Sequence, residues 1–391
     1  MIRTVAVVGE IYSANLGDYA IYKSVRLLLE EKGYRVVPID LSLRMACDTS
    51  NNEKIKRRPA WVPWIINNLS LLRKLKVLAS WKKQAPHYKR VWSNLLLECD
   101  AVIIGGGQLL TDNMLYFPPR LRLISEIAGE QDKPVAVFGC GVGKNLGWLA
   151  QRMHRELFDN CTYISVRDRV SATRIKSYSQ GTDVHVSPDP AFALPSEIAG
   201  TNKRELCGLN VISIDVLRNS VPALRRLSLE QYGRFWLNVA AGIKALGMKS
   251  VVMTNGNVKD HEDSLFVYDF LKEHNIDISM YDRPENPQML FNQIATLDFM
   301  VSSRMHAGII SFSYGKPVAT LAWDDKVPAV WEEIGVENAS LKAEIILSSN
   351  PWLSIHESLE STSLLLDRSG FAREGVRTSL TACLNALERA C

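Results

Sequence analysis

The sequence predicts an α/β protein built from two Rossmann-like domains that face each other across a cleft. Three observations carry that expectation. The chain has 391 residues, more than one hydrophobic core usually supports. Short, almost uninterrupted β-branched runs alternate with helical patterns, as parallel strands covered on both faces require. A polar stretch, "SEIAGTNKRELCG" (196–208), divides these runs into two series. The expected boundaries are 1–195 for the first domain, 196–208 for a linker and 209–345 for the second domain. Residues 346–391 read as helix, free to pack back on the first domain.

The elements follow in order. "TVAVVG" (4–9) precedes a helix near 17–32 whose Ala20, Ile21, Val25, Leu28 and Leu29 share one face. Gly33 stops that helix, and "YRVVPID" (34–40) follows. "DAVIIGGG" (100–107), "KPVAVFGCG" (133–141), "CTYISVRD" (161–168) and "DVHVSPDP" (183–190) complete the first series. The second is "NVISIDV" (210–216), "KSVVMT" (249–254), "DISMYD" (277–282), "LDFMVSS" (297–303) and "KPVATLA" (316–322). In such sheets ligands bind beyond the strand C-termini, so the residues after each strand are the ones to inspect.

Composition excludes several function classes. No apolar run reaches the roughly 18 residues of a membrane span. Met1 leads straight into a strand with no leader pattern, so a cytoplasmic location is expected. The seven cysteines (47, 99, 140, 161, 207, 383, 391) never form CxxC and read as reduced small hydrophobes. Neither HExxH nor a cluster of His with carboxylates occurs, so neither metal nor cofactor is expected. The net charge of +4 hides an asymmetry. Lys54 to Arg90 holds eleven Lys/Arg and no Asp or Glu, leaving 4 − 11 = −7 on the remainder.

Four loops carry residues suited to chemistry. In "GEIYSANLGDYAI" (9–21), Asp18 reads either as a helix cap or, with Asn15, as part of an acceptor pocket. "GGGQLLTD" (105–112) offers Gly106 and Gly107, which let backbone N–H groups approach a ligand closely, and Asp112. It lacks the spacings of dinucleotide and P-loop motifs. "SVRDRVS" (165–171) places Arg167 and Asp168 at a strand end, where an Arg–Asp bridge that holds the loop is one reading. "SPDPAF" (187–192) fixes a rigid turn in which Asp189 reads as structural. The strongest signal is "SSRMHAG" (302–308). Arg304 and His306 at a helix start, with backbone N–H groups beside them, suit an anionic substrate undergoing acid–base chemistry. Lys326, after the next strand, adds a cation.

The ordered set "NLGDYAI", "IIGGGQLLTD", "SVRD", "PDPAF" and "SRMHAGIISFSYGKPV…DDK" resembles the polysaccharide pyruvyl transferases over about 5–326. The resemblance implies a GT-B-like pair of domains. It implies transfer of a pyruvyl group from phosphoenolpyruvate, as donor substrate, to a sugar hydroxyl pair in a glycan or lipid-linked precursor. A cyclic ketal and phosphate are the products. The donor site of the family lies at the Arg-x-His motif, matched by Arg304, Met305 and His306, with Arg167 as the match for a further arginine and Lys326 nearby. Asn15, Asp18, Gly106, Gly107 and Asp112 fall to the acceptor side. His306 and Arg304 are the expected catalytic pair. A nucleotide-sugar glycosyltransferase of the same architecture is the alternative.

The basic stretch 54–92 also holds Trp61, Trp64, Trp81 and Trp92. Cations beside Trp and Leu suit a helix at an anionic membrane interface, which would make the protein peripheral on the inner face of the cytoplasmic membrane. An insertion packed on the first domain with solvated charges is the other reading. Nucleic acid is not an expected partner.

Overall fold

The computed structural model describes residues 2–45, 70–195 and 205–391. The described chain forms two parallel sheets of six strands each, with orders β2-β1-β3-β4-β5-β6 and β12-β11-β10-β7-β8-β9. The first comprises β1 Thr4–Gly9, β2 Arg35–Asp40, β3 Ala101–Gly105, β4 Val135–Cys140, β5 Cys161–Val166 and β6 His185–Val186. The second comprises β7 Leu206–Asn210, β8 Lys249–Met253, β9 Ile278–Met280, β10 Phe299–Ser302, β11 Val318–Ala322 and β12 Ser340–Lys342. Central strands such as β1, β3 and β4 are buried along their whole length. That is why they read as unbroken apolar runs rather than alternating ones.

The compact units do not follow the chain linearly. One contains Met1–Tyr12, Val25–Asp189 and Arg377–Cys391; the other contains Ser13–Ser24 and Pro190–Val376. Leu16, Ala20 and Ile21 join the second unit because they share a core with Met253, Phe291, Met305 and Trp331. The last helix, Arg368–Ala390, carries its C-terminal half into the first unit. There Arg377 pairs with Glu31 at 2.8 Å, and the Tyr163 and Ser379 hydroxyls meet at 3.1 Å. Of the expected linker 196–208, residues 196–204 lie outside the described residues.

One expected strand is misplaced. Of residues 210–216 only Asn210 is strand; β7 is Leu206–Asn210, and Ile214–Ser220 is helix. The true strand, "LCGLN", holds no β-branched residue, whereas the following "VISIDV" mimics one. Short β12, Ser340–Lys342, is only three residues long and leaves no run in the sequence. β6 is also shorter than its run suggested, because two prolines follow it.

The described part of the basic stretch lies on the helix Ser70–Leu96. Trp92 is fully buried, and Tyr88 and Leu96 join it in the core of the first unit, with Trp81 packed alongside. Trp61 and Trp64 lie outside the described residues. Among the described residues no helix is long and apolar enough to cross a membrane. The six described cysteines are free, and burial pushes the Cys140 thiol up to about 12, which makes it a poor nucleophile.

Candidate functional site

Strand order in the second unit dictates where a ligand belongs. The chain runs β7, β8, β9 to one side and then returns to place β10 on the other side of β7. The crevice beyond the ends of β7 and β10 is the topological switch point, the usual binding position of doubly wound sheets. Asn210 ends β7, Ser302 ends β10, and Arg304 leads into the helix Met305–Ser313. Asn210 locks this corner. Its Oδ1 accepts from the Ser302 hydroxyl and from the Arg304 backbone N–H, both at 3.2 Å, and its Nδ2 donates to Asn255 Oδ1 at 3.0 Å.

Asn255 in turn fixes the loop after β1, since its carbonyl accepts from the Leu16 N–H at 3.1 Å. That contact brings Asp18 to His306, with Oδ1 2.8 Å from Nδ1. The approach depends on Gly17. A Cβ there would lie 2.8 Å from His306 Cβ and 2.9 Å from Asn255 Nδ2, so any larger residue would wedge the loop off the histidine. His306 is 6% exposed and the Asp18 side chain 27%. Burial alone would raise the Asp18 carboxyl. The His306 hydrogen bond and charge, with Lys326 and Arg304 further off, outweigh it and hold the group below its ordinary 3.8. Asp18 is therefore an ionised partner at neutral pH. With its proton on Nδ1, the imidazole donates to Asp18 and leaves Nε2, itself a buried atom, as its other ring nitrogen.

Arg304 is also held by a carboxylate. Its Nε donates to Asp260 Oδ2 at 2.8 Å and its Nη2 to Oδ1 at 2.9 Å, a bidentate fork on a side chain that is 1% exposed. Asp260 Oδ1 also accepts from the Ser213 N–H at 2.9 Å. Nη1 is then the guanidinium nitrogen that Asp260 does not engage. The Trp323 ring lies 6.0 Å from the Arg304 guanidinium and 4.8 Å from Lys326 Nζ. Its indole N–H donates to the Ser303 carbonyl at 2.7 Å, which keeps the ring in place. Three cation-bearing or proton-exchanging groups, Arg304, His306 and Lys326, thus occupy one corner of one unit, with Asp18 and Asp260 aligning the first two.

A profile of the polysaccharide pyruvyl transferase family matches residues 15–325, most of the chain. The chain belongs to that family. Solved structures similar to this family member include S. aureus MnaA with UDP, at 13% identity, TM-score 0.51 and coverage of 99% of this chain and 98% of that one. A Burkholderia vietnamiensis α,α-trehalose-phosphate synthase (UDP-forming) gives 11%, TM-score 0.51 and 98% and 96%. A Methanocaldococcus jannaschii UDP-GlcNAc 2-epimerase gives 11%, TM-score 0.51 and 92% of each chain. At these identities the likeness shows the fold alone, a GT-B-like pair of Rossmann-like domains. A search of curated proteins finds no match.

Other expected site residues of this family member sit in different surroundings. Met305 is a core side chain, 5% exposed, so only its backbone is available at the helix start. Asn15 caps the short turn before Asp18, its carbonyl accepting from the Asp18 N–H at 3.0 Å. Arg167 belongs to the first unit, 1% exposed, with Nη1 3.1 Å from Asp189 and Nε 3.6 Å from Asp168. A Cβ on Gly141 would lie 2.7 Å from its Nε, so that glycine makes room for the guanidinium. Asp168 caps the following helix through Ser171 N–H at 2.6 Å. Gly106 and Gly107 adopt positive φ of 69° and 68°, which glycine alone tolerates cheaply. The Gly106 N–H is already given to the Phe138 carbonyl at 2.9 Å. Asp112 accepts from Lys74 Nζ at 2.8 Å and from the Gly147 N–H at 2.9 Å. Sequence reasoning missed Asn210, Asn255, Asp260 and Trp323. Asparagines ending or following consecutive strands were the available signal for the first two.

Proposed function

We propose that this family member moves a pyruvyl group from phosphoenolpyruvate to a hydroxyl pair of a sugar in a glycan or lipid-linked glycan precursor. The observation that carries the reading is His306 at a helix start, oriented by ionised Asp18 and flanked by Arg304 and Lys326. Phosphoenolpyruvate is a small, highly charged anion, and cations with helix N–H groups are its natural partners. In the transfer, His306 gives a proton to the methylene carbon and positive charge develops at the central carbon. One sugar hydroxyl attacks there, the C–O bond to phosphate breaks, and the second hydroxyl closes the ketal. The two hydroxyl protons balance the new methyl hydrogen and the released phosphate. Arg304 and Lys326 stabilise the departing phosphate, as preorganised charges do where charge builds in a transition state. Incubation with phosphoenolpyruvate and a panel of glycans is expected to give pyruvate mass gain with equimolar phosphate. Thermal titration is expected to show stabilisation by phosphoenolpyruvate and none by UDP. Stabilisation by UDP alone would replace this reading with a nucleotide-sugar transferase.

A lipid-borne acceptor suits a peripheral enzyme, and the helix Ser70–Leu96 offers the surface. Opposite its buried aromatic face, Lys76, Lys83 and Arg90 recur every seven residues and are all exposed. They form one cationic stripe on a helix without a single carboxylate. Each such cation contributes about 1 kcal/mol at an anionic surface. The triple variant K76E/K83E/R90E is therefore expected to bind phosphatidylglycerol vesicles at least about 100-fold more weakly. Equal sedimentation of wild type with phosphatidylcholine and phosphatidylglycerol vesicles would end the membrane proposal.

A further inference from the structure

The first sheet has a switch point of its own, and what gathers there was not among the expected site residues. β2 lies on one side of β1 and β3 on the other. Glu10 directly follows β1, Asp40 ends β2 with Ser42 and Arg44 just beyond, and Tyr116 lies in the connection that leaves β3. Three connections, separate in sequence, therefore meet beyond the C-termini of three adjacent strands, where such sheets take ligands.

The Ser42 hydroxyl donates to Glu10 Oε1 at 2.9 Å, so its only hydrogen is used. The Ser42–Tyr116 contact of 2.7 Å must then be donated by the tyrosine. Arg44 Nη2 donates to Glu10 Oε2 at 2.7 Å and to Asp40 Oδ2 at 3.0 Å, and its Nε donates to Asp40 Oδ1 at 3.1 Å. Asp40 is 1% exposed and also accepts from the Tyr12 and Ser42 N–H groups at 2.9 and 2.8 Å. It is the buried anchor of the cluster. What the cluster still offers is one remaining lone-pair direction on each Glu10 oxygen, the Tyr116 oxygen, and the N–H groups of Arg44 Nη1, which neither carboxylate engages on a side chain 29% exposed. The Glu10 side chain is 20% exposed. Glu10 and Asp40 are matched in charge by Arg44 and by Arg120 at the Tyr116 ring, so the site carries no net charge to attract an ion, and a neutral polyol that both donates and accepts is the fitting ligand.

Two further features fit a binding position. Tyr116 is held by Arg120, whose guanidinium lies 4.0 Å from its ring and also faces Trp81 at 4.6 Å and Tyr88 at 5.2 Å. It is preceded by three successive non-glycine residues at positive φ: Asn113 at 31°, Met114 at 52° and Leu115 at 64°. Strain of that kind concentrates where a side chain must be aimed. Among the described residues no group of three or more His, Cys, Asp or Glu could hold a metal ion, so the cluster is not a cation cage.

We propose that Glu10, with Ser42 and Tyr116, is a polyol-recognition site, taking the paired ring hydroxyls of a pyranose through the two carboxylate oxygens and the phenol. The link to catalysis rests on the transfer reading above, in which such a hydroxyl pair is the acceptor; the binding claim does not. Saturation-transfer NMR with methyl α-mannopyranoside, methyl β-galactopyranoside and methyl β-glucopyranoside is the test. At least one is expected to take saturation, strongest at ring protons flanking two hydroxyls. Glu10→Gln replaces an acceptor oxygen with an N–H₂ donor and is expected to weaken binding about tenfold or more. Tyr116→Phe, which removes only the hydroxyl, is expected to weaken it severalfold with an unchanged melting temperature. No saturation on wild type, or equal binding by both variants, overturns the site. Phosphate release from phosphoenolpyruvate is read in the same samples. Glycoside binding lost in Glu10→Gln without any phosphate release in wild type would sink the transfer reading and leave the polyol site standing. Transfer that ignores Glu10→Gln while glycoside binding is lost would overturn the link to catalysis and leave the polyol site standing.

Discussion

His306→Ala is expected to lower kcat by at least about 10²–10⁴-fold, the usual range for a positioned general acid or base, while phosphoenolpyruvate still stabilises the protein in a thermal titration. Two features of the geometry make the separation sharp. His306 meets Asp18 at 2.8 Å on Nδ1, so in the proposed transfer its contribution is a directed proton rather than bulk charge, and the proposed donor-binding cations Arg304 and Lys326 remain in the variant. Asp18→Asn should follow it in kcat by a smaller factor, because an amide can present its N–H₂ to Nδ1 and select the wrong tautomer. Asp18 stays ionised below its ordinary 3.8. Any titration of kcat between about pH 5 and 8 therefore belongs to another group and should persist, displaced, in Asp18→Asn. The depressed carboxyl also contributes stability that is fully present above pH 3.8 and lost as pH falls through the folded-state value. The stability difference between wild type and Asp18→Asn should accordingly vanish in acid. A His306→Ala enzyme with full turnover would remove the imidazole from the chemistry.

How far the sequence was legible depends on which interactions are local. The strands were readable because burial on both faces writes a continuous apolar run, and β1, β3 and β4 are buried throughout. β7 was not, because Leu206–Asn210 holds no β-branched residue, so Leu206, Cys207 and Gly208 fell into the expected linker and Asn210 into the strand expected after it. The Arg-x-His pair was legible because both residues lie within one strand-to-helix turn. Its partners were not. Asp18 was singled out on its own merits as a cap or an acceptor residue, yet its contact is with a histidine far along the chain. Asp260, in the first turn of the helix Val258–Glu273, is 44 positions from the arginine it grips. Parallel sheets bring distant loops to one edge, so the partners of a strand-end residue come from other crossovers. The same logic explains why Arg167 reads ambiguously. A strand-end arginine looks alike in sequence whether it meets a ligand or, as its 1% exposure and two aspartates indicate, is held by buried carboxylates.

Arg304→Lys is the second large effect, and Asp260 determines its form. A lysine carries the same charge but only a point of it, and cannot reproduce two parallel bonds to one carboxylate. Asp260 is 1% exposed and keeps only its Ser213 N–H bond in full. A hydrogen bond to a charged group is worth about 1.5–3 kcal/mol, so the Lys variant is expected to lose about that much stability in a denaturant titration. It is expected to lose kcat/KM by about 100-fold or more as well, since a cation drawn toward Asp260 no longer has the second guanidinium edge that the proposed transfer gives to the donor. Asp260→Asn separates the two losses. It keeps the arginine and its full charge but relaxes the fork, so a role in aiming Arg304 predicts a raised KM for phosphoenolpyruvate with a smaller change in kcat. A purely structural pair predicts lower stability with both constants intact. An Arg304→Lys enzyme that holds phosphoenolpyruvate with near-normal affinity would show that the guanidinium serves Asp260 and the fold alone, and the donor would then have to be gripped by Lys326 and the helix N–H groups.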